Sequence, residues 1–185
     1  MSAAKQENTT RMRCFVAIPV PAALAGALGQ VPAPERVRAQ TAGDLHLTLA
    51  FLGERERQAT LLTLWPVLQQ EVRALGAFTV TLSVATAFPG AGDRVWAALA
   101  ERNEALLDIH QRVWRVLEAH GVAREVRAFR PHVTLGRAAT RLAAAPWPGP
   151  WALPVREVVL YESPRGGGGY RPLAAVSLAG AGGRR

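Results

Sequence analysis

Two short stretches carry side chains suited to the same chemistry: His46-Leu47-Thr48-Leu49 and His132-Val133-Thr134-Leu135. In an extended strand alternate side chains share a face. Each stretch therefore presents an imidazole and a hydroxyl together, with aliphatic residues behind them. Two histidines facing one ligand supply a general base and a general acid, and threonine hydroxyls hold phosphate oxygens. An acid–base pair with no evident nucleophile or metal-ligand cluster points to phosphoester chemistry run by proton transfer. One His-x-Thr in a strand is ordinarily a half-buried histidine beside a β-forming threonine. Two copies, each running on into leucine, outweigh that reading.

The elements that must position these residues follow from pattern. Strands are predicted over Met12–Pro19, Asp44–Gly53, Ala77–Phe88, Arg94–Ala100, Phe129–Arg137, Val155–Glu162 and Tyr170–Leu178. In Ala77–Phe88 the alternation puts Phe78, Val80, Leu82 and Val84 on one face. Helices are predicted over Ala22–Gln30, Glu54–Gly76 and Asn103–His120. Leu61, Leu64, Leu68 and Val72 have helical spacing, with a break or kink at Pro66. Leu106, Ile109, Val113, Val116 and Leu117 form an apolar stripe, and Gly121 is a helix stop. Val31–Gly43 and the Ala/Pro/Trp-rich Ala138–Pro154 read as loops. Residues 1–10 and 181–185 read as disordered tails flanking a single domain over 11–180. Strands and helices interleave in both halves with one His-Thr strand each, which suggests an internal duplication. Two α+β lobes with the motif strands meeting in a cleft would bring the histidines together.

Composition bounds the function classes. The 185 residues are 49% hydrophobic, enough for a good-sized core. The formal charge is +8, and Lys5 is the only lysine. Arginine suits phosphate, and a basic surface favours a polyanion, although a GC-rich genome produces the same Arg, Ala, Gly and Pro enrichment. The one cysteine, Cys14, excludes an internal disulfide and suggests a cytoplasmic setting; beside Phe15 and Val16 it reads as a small core residue rather than a nucleophile. No run is long and apolar enough to span a membrane. His110 and His120 read as helix-surface residues without metal-ligand spacing to the motif histidines. Tyr161 and Tyr170 could line a cleft or serve strand packing. The tryptophans read mostly as core or loop anchors, and the Gly166–Gly169 run lacks the ending of a phosphate-binding loop.

Further stretches agree with the two motifs: Phe15-Val16-Ala17-Ile18-Pro19, Leu45 through Gly53, Phe88-Pro89 with Arg94-Val95-Trp96, Phe129 through Arg137, and Leu160-Tyr161-Glu162-Ser163 followed by Gly169-Tyr170. In these the chain resembles the 2H phosphoesterases, in particular their RNA 2′,3′-cyclic phosphodiesterase branch, long named 2′–5′ RNA ligase. The resemblance runs through nearly the whole chain. It implies an α+β bilobal, duplicated fold, with two antiparallel sheets and flanking helices around a central cleft.

The resemblance also implies roles. The catalytic pair falls on His46 and His132, with phosphate held among them and Thr48 and Thr134. Arg137 falls on a phosphate-contacting arginine, and Phe51 on an aromatic position that stacks on the nucleobase. Arg130 is a further candidate for phosphate contact, with surface pairing as its alternative. The implied reaction is hydrolysis of RNA 2′,3′-cyclic phosphate ends to 2′-phosphates, without cofactor or metal, and its reverse is ATP-independent 2′–5′ ligation. The implied partners are RNA with such ends or small cyclic nucleotides, with no membrane, for a monomer. Three alternatives stand beside it: a 2′–5′-linked oligonucleotide substrate, a cyclic phosphate on ADP-ribose, or a non-catalytic RNA-binding module. The Pro164–Gly169 segment is unusually glycine-rich for this family.

Overall fold

The computed structural model describes residues 11–90, 92–143, 146–164 and 169–180. The chain runs β1 (Arg11–Pro19), α1 (Ala22–Gly29), β2 (Val37–Ala39), β3 (His46–Arg57), α2 (Gln58–Arg73), β4 (Phe78–Phe88), β5 (Val95–Ala100), α3 (Glu104–Ala119), β6 (His132–Ala138), β7 (Trp147–Val155), β8 (Glu157–Glu162) and β9 (Arg171–Ser177), with a 3-10 turn at Ala42–Asp44 before β3. The expected disordered tails, and Gly166–Gly168 of the glycine run, lie outside the described residues.

The named strands pair antiparallel in the order β7-β4-β5-β6-β3-β1-β8-β9, with β2 added to β6. One half-sheet holds β1, β3, β8 and β9, and the other holds β2 and β4 to β7. Among the described residues the named strands of the two join only where β3 lies against β6, through the pair Leu47–Val133. Both residues are fully buried. The two sheets implied by the resemblance are thus continuous at their motif strands. The halves are also not the two halves of the sequence, because β8 and β9 return to pair beside β1.

Helices α2 and α3 pack on each other and over β3, with α2 also on β9. In α3, Leu106, Ile109, Val113, Val116 and Leu117 are all buried, as the stripe requires. Asn103 caps its start by accepting the Leu106 N–H at 3.0 Å, and Gly121 ends it at φ +82. Helix α2 runs unbroken through Pro66. Leu61, Leu64, Trp65, Leu68 and Val72 are buried beneath it, and that packing outweighs the backbone bond proline removes.

Five expectations are corrected. Glu54–Arg57 is the end of β3 rather than the start of a helix, and α2 begins at Gln58. Val31–Gly43 is not all loop: it contains β2 and the start of the 3-10 turn. Ala138–Pro154 contains β7, whose prolines are tolerated because it is an edge strand bonded only to β4. Gly149 is required there, since a Cβ would stand 2.6 Å from the Leu82 carbonyl. In β4 the pairing skips a residue between Leu82 and Val84, so Ala85 and Ala87, rather than Val84, continue the buried face. His110 is buried in α3 rather than on its surface, with its ring stacked on Phe129 at 3.7 Å and 12°. His120 is exposed.

Candidate active site

The motif strands share one local design. In β3 the pairing with β1 passes from Thr48 opposite Ala17 to Ala50 opposite Val16, leaving Leu49 as an extra residue. In β6 the pairing with β5 passes from Thr134 opposite Ala97 to Gly136 opposite Trp96, leaving Leu135 extra. A bulge of this kind re-aims the side chains beyond it. Burial records the change of phase: residues 46 and 48 are half-buried, 49 and 50 are both buried, and 51 is exposed, and 132 to 137 repeat the pattern. The fifth residue after each histidine thus joins the histidine and threonine on the cleft face. One motif supplies Phe51 there and the other Arg137. Each threonine lies opposite an alanine, Ala17 or Ala97, which leaves room beside its hydroxyl.

The six side chains His46, Thr48, Phe51, His132, Thr134 and Arg137 line one open cavity of ~350 Å³. Phe51 is 54% exposed on it, a large apolar surface consistent with a stacking platform. Arg130 is not among the lining residues. Its guanidinium donates to the Pro89 carbonyl at 2.9 Å and lies 5.1 Å from the Phe88 ring centroid. That ring in turn stacks on His132 at 3.9 Å. The structure therefore places Arg130 on the ring behind His132, outside the cavity wall.

The two imidazoles are held alike. His46 Nδ1 donates to the Asp44 carbonyl at 2.7 Å, and His132 Nδ1 donates to the Arg130 carbonyl at 2.8 Å. A carbonyl only accepts, so Nδ1 carries hydrogen and Nε2 is the nitrogen left for a ligand. Burial lowers the pKa of both histidines from its usual value, partly opposed by these same hydrogen bonds. The surroundings then diverge. At His46 the Asp44 carboxylate raises the pKa against the lowering effect of His132 and Arg137, whereas at His132 Arg137 and Arg130 both lower it further. His46 is also packed among aromatic rings, with Phe15 at 4.7 Å and the edge of Tyr170 at 5.0 Å.

Sequence patterns alone missed Asp44 and Gln40, which line the same cavity. Asp44 ties three segments together. Its carboxylate accepts the Thr41 hydroxyl at 2.6 Å and the Tyr170 N–H at 2.8 Å, while its carbonyl holds His46. Gly169 precedes Tyr170 at φ +89, and a Cβ there would press within 3.2 Å of the Asp44 carboxylate. Gly169-Tyr170 and the start of the first motif strand at Asp44 are visible in the sequence, but nothing local shows that they touch. Of the two tyrosines, Tyr170 lines the cavity and Tyr161 stacks behind Phe15 at 5.3 Å. Cys14 is buried, as expected, and borders the cavity.

Comparison with known proteins agrees with this geometry. Residues 20–166 match the 2′-5′ RNA ligase superfamily. The RNA 2′,3′-cyclic phosphodiesterase of Escherichia coli strain K12 is 34% identical over 150 residues, spanning 78% of this chain and 82% of that protein. The crystal structure of E. coli LigT complexed with 3′-AMP superposes with a TM-score of 0.77 at 29% identity, covering 91% of this chain and 99% of LigT. A protein of Thermus thermophilus superposes at 0.75 with 30% identity, covering 91% of this chain and 99% of that one. With the match extending over most of its length, this chain belongs to the 2′-5′ RNA ligase superfamily.

Proposed function

We propose that this protein hydrolyses 2′,3′-cyclic phosphate ends of RNA to 2′-phosphates, with His46 as general acid and His132 as general base. The observation that carries the reading is the paired imidazoles in one cavity, each with Nδ1 committed to a backbone carbonyl and Nε2 left for the substrate. The name of the E. coli relative supports the substrate. His132 Nε2 takes a proton from water as its oxygen attacks phosphorus. The bond from phosphorus to O3′ breaks, and His46 Nε2 delivers its proton to that oxygen. Thr48 and Thr134 hydroxyls and the Arg137 guanidinium stabilise the charge on the non-bridging oxygens, and Phe51 stacks on the base.

The division of labour follows the electrostatics. An acid must be protonated before the step and a base must be neutral. Arg137 disfavours the charged form of both histidines; the Asp44 carboxylate opposes it at His46, and Arg130 adds to it at His132. A ribose 5′-hydroxyl attacking phosphorus in place of water, with O3′ leaving and taking the proton from His46, uses the same groups and no ATP, which makes 2′–5′ ligation available. Residues 11–180 act as one unit of two pseudo-symmetric lobes, each supplying a histidine, a threonine and one further binding residue. The protein works as a cytoplasmic monomer, with a single cysteine, Cys14, that is buried. Among the described residues no helix is long and apolar enough to cross a membrane.

Phosphorus NMR of a 2′,3′-cyclic mononucleotide incubated with the protein and EDTA tests the reaction. The expected product is the 2′-phosphate alone. A 3′-phosphate would reverse the leaving oxygen, and no turnover of either the mononucleotide or a short RNA with a cyclic end would overturn the proposal.

A further inference from the structure

The phosphate side of the cleft continues past Arg137. Strand β2 runs antiparallel to β6 with Arg38 directly opposite Arg137, flanked by Val37 opposite Ala138 and Ala39 opposite Gly136. Directly opposed residues point to the same face, with Cα atoms about 5 Å apart. Arg137 lines the cavity, whereas Arg38 is not among the residues that line it; as the residue opposite Arg137, Arg38 stands beyond the cavity's rim on the face that Arg137 shares. Gln40, two residues further along the same extended run, also lines the cavity. Its N–H is bonded to the Leu135 carbonyl at 2.8 Å, which continues the pairing with β6. Arg38 and Gln40 therefore share a face, as period-two alternation requires.

Both guanidiniums are exposed, and neither is paired with a carboxylate among the described residues. Like charges directly opposite one another in a sheet are destabilising. An anion lying along both removes that penalty. The cyclic phosphate is a diester with a single negative charge, and Arg137, two hydroxyls and a protonated imidazole already face it. The charge of Arg38 is left for a second anion on the same strand of substrate.

We propose that Arg38, with Gln40 beside it, forms a subsite for the phosphodiester next to the terminal nucleotide. The preferred substrate is then the end of an RNA oligonucleotide rather than a free cyclic mononucleotide. The inference rests on the phosphodiesterase reading above. An arginine fork matches two phosphate oxygens, and a backbone contact is indifferent to base sequence.

The test compares kcat/KM for a short RNA ending in a 2′,3′-cyclic phosphate with kcat/KM for the cyclic mononucleotide, in the unsubstituted protein, Arg38→Ala and Arg38→Gln. The RNA-to-mononucleotide ratio is expected to fall about 10-fold in both variants, through KM for the RNA. The slope of log kcat/KM against log salt for the RNA is expected to become shallower by about 0.7, the loss of one phosphate contact on a single strand. A melting temperature unchanged or raised in Arg38→Ala separates lost binding from lost folding, since removing one of two opposed cations relieves repulsion. An unchanged ratio overturns the inference. Equal losses on both substrates also overturn it, by making Arg38 part of the scissile-phosphate site. If the unsubstituted protein turns over neither substrate, the phosphodiesterase reading fails and the inference falls with it.

Discussion

The two catalytic candidates are chemically identical and environmentally different, and the difference is what the pH dependence will report. Burial lowers both pKa values, so the bell-shaped kcat/KM profile of the free enzyme is expected to centre below about pH 6.5. Asp44→Asn removes the charge that favours protonated His46 while keeping Oδ1 as acceptor for the Tyr170 N–H; its NH2 group donates to the Thr41 hydroxyl oxygen in place of the bond that oxygen donated. The alkaline limb, where the acid loses its proton, is then expected to move to lower pH; a profile identical to that of the unsubstituted protein would show that Asp44 only positions the loop. His46→Ala and His132→Ala are each expected to cut kcat by about 10²- to 10⁴-fold, measured as initial rates on the cyclic mononucleotide with circular dichroism checking the fold. Both histidines and both threonines were legible in the sequence because strand alternation alone aligns them. Asp44 was not, because its bonds run to Thr41, His46 and the distant Tyr170.

Each motif strand depends on its bulge. Plain alternation along His132-Val133-Thr134-Leu135-Gly136-Arg137 would put Gly136 in the cleft and Arg137 behind it. The extra residue at Leu135 reverses this, as the one at Leu49 does for Phe51. The resemblance to a family pointed to Phe51 and Arg137, and only the pairing explains why they reach the site. Gly136 then faces β2, where a Cβ would meet Val37 Cγ1 at 2.5 Å and the Arg38 carbonyl at 2.8 Å. Gly136→Ala is therefore expected to push β2 off β6 and destabilise the protein by about 1–3 kcal/mol, read by denaturant unfolding. A loss near zero would show that β2 shifts freely. Strand β7 illustrates the opposite limit. Its run of prolines and glycine argues against a strand until its edge position is known.

Across the whole molecule, three of the four histidines couple stability to pH in the same direction. His110 is stacked on Phe129 and pushed down to about 4, by burial first and by the nearby Arg124 second. Between pH 6.5 and about 4 the unfolded chain binds a proton at this site that the folded chain does not, so stability falls as pH falls through that window. His46 and His132, also lowered, add to the loss. Thermal unfolding from about pH 7 to about 4 is expected to show a steeper decline in the unsubstituted protein than in His110→Leu; parallel curves would place the acid sensitivity elsewhere. Phe129 lies three residues before His132, so this buried contact also anchors the run leading into the second motif. What the sequence determined by itself was local: strand and helix periods, the helix stop at Gly121, and which two pairs of residues share a chemistry, all set by interactions within a few residues. Tertiary structure decided the rest. The return of β8 and β9 beside β1, the single Leu47–Val133 seam, the burial of His110 and the meeting of Asp44 with Tyr170 depend on contacts between segments far apart in the chain, whose partners no local pattern specifies.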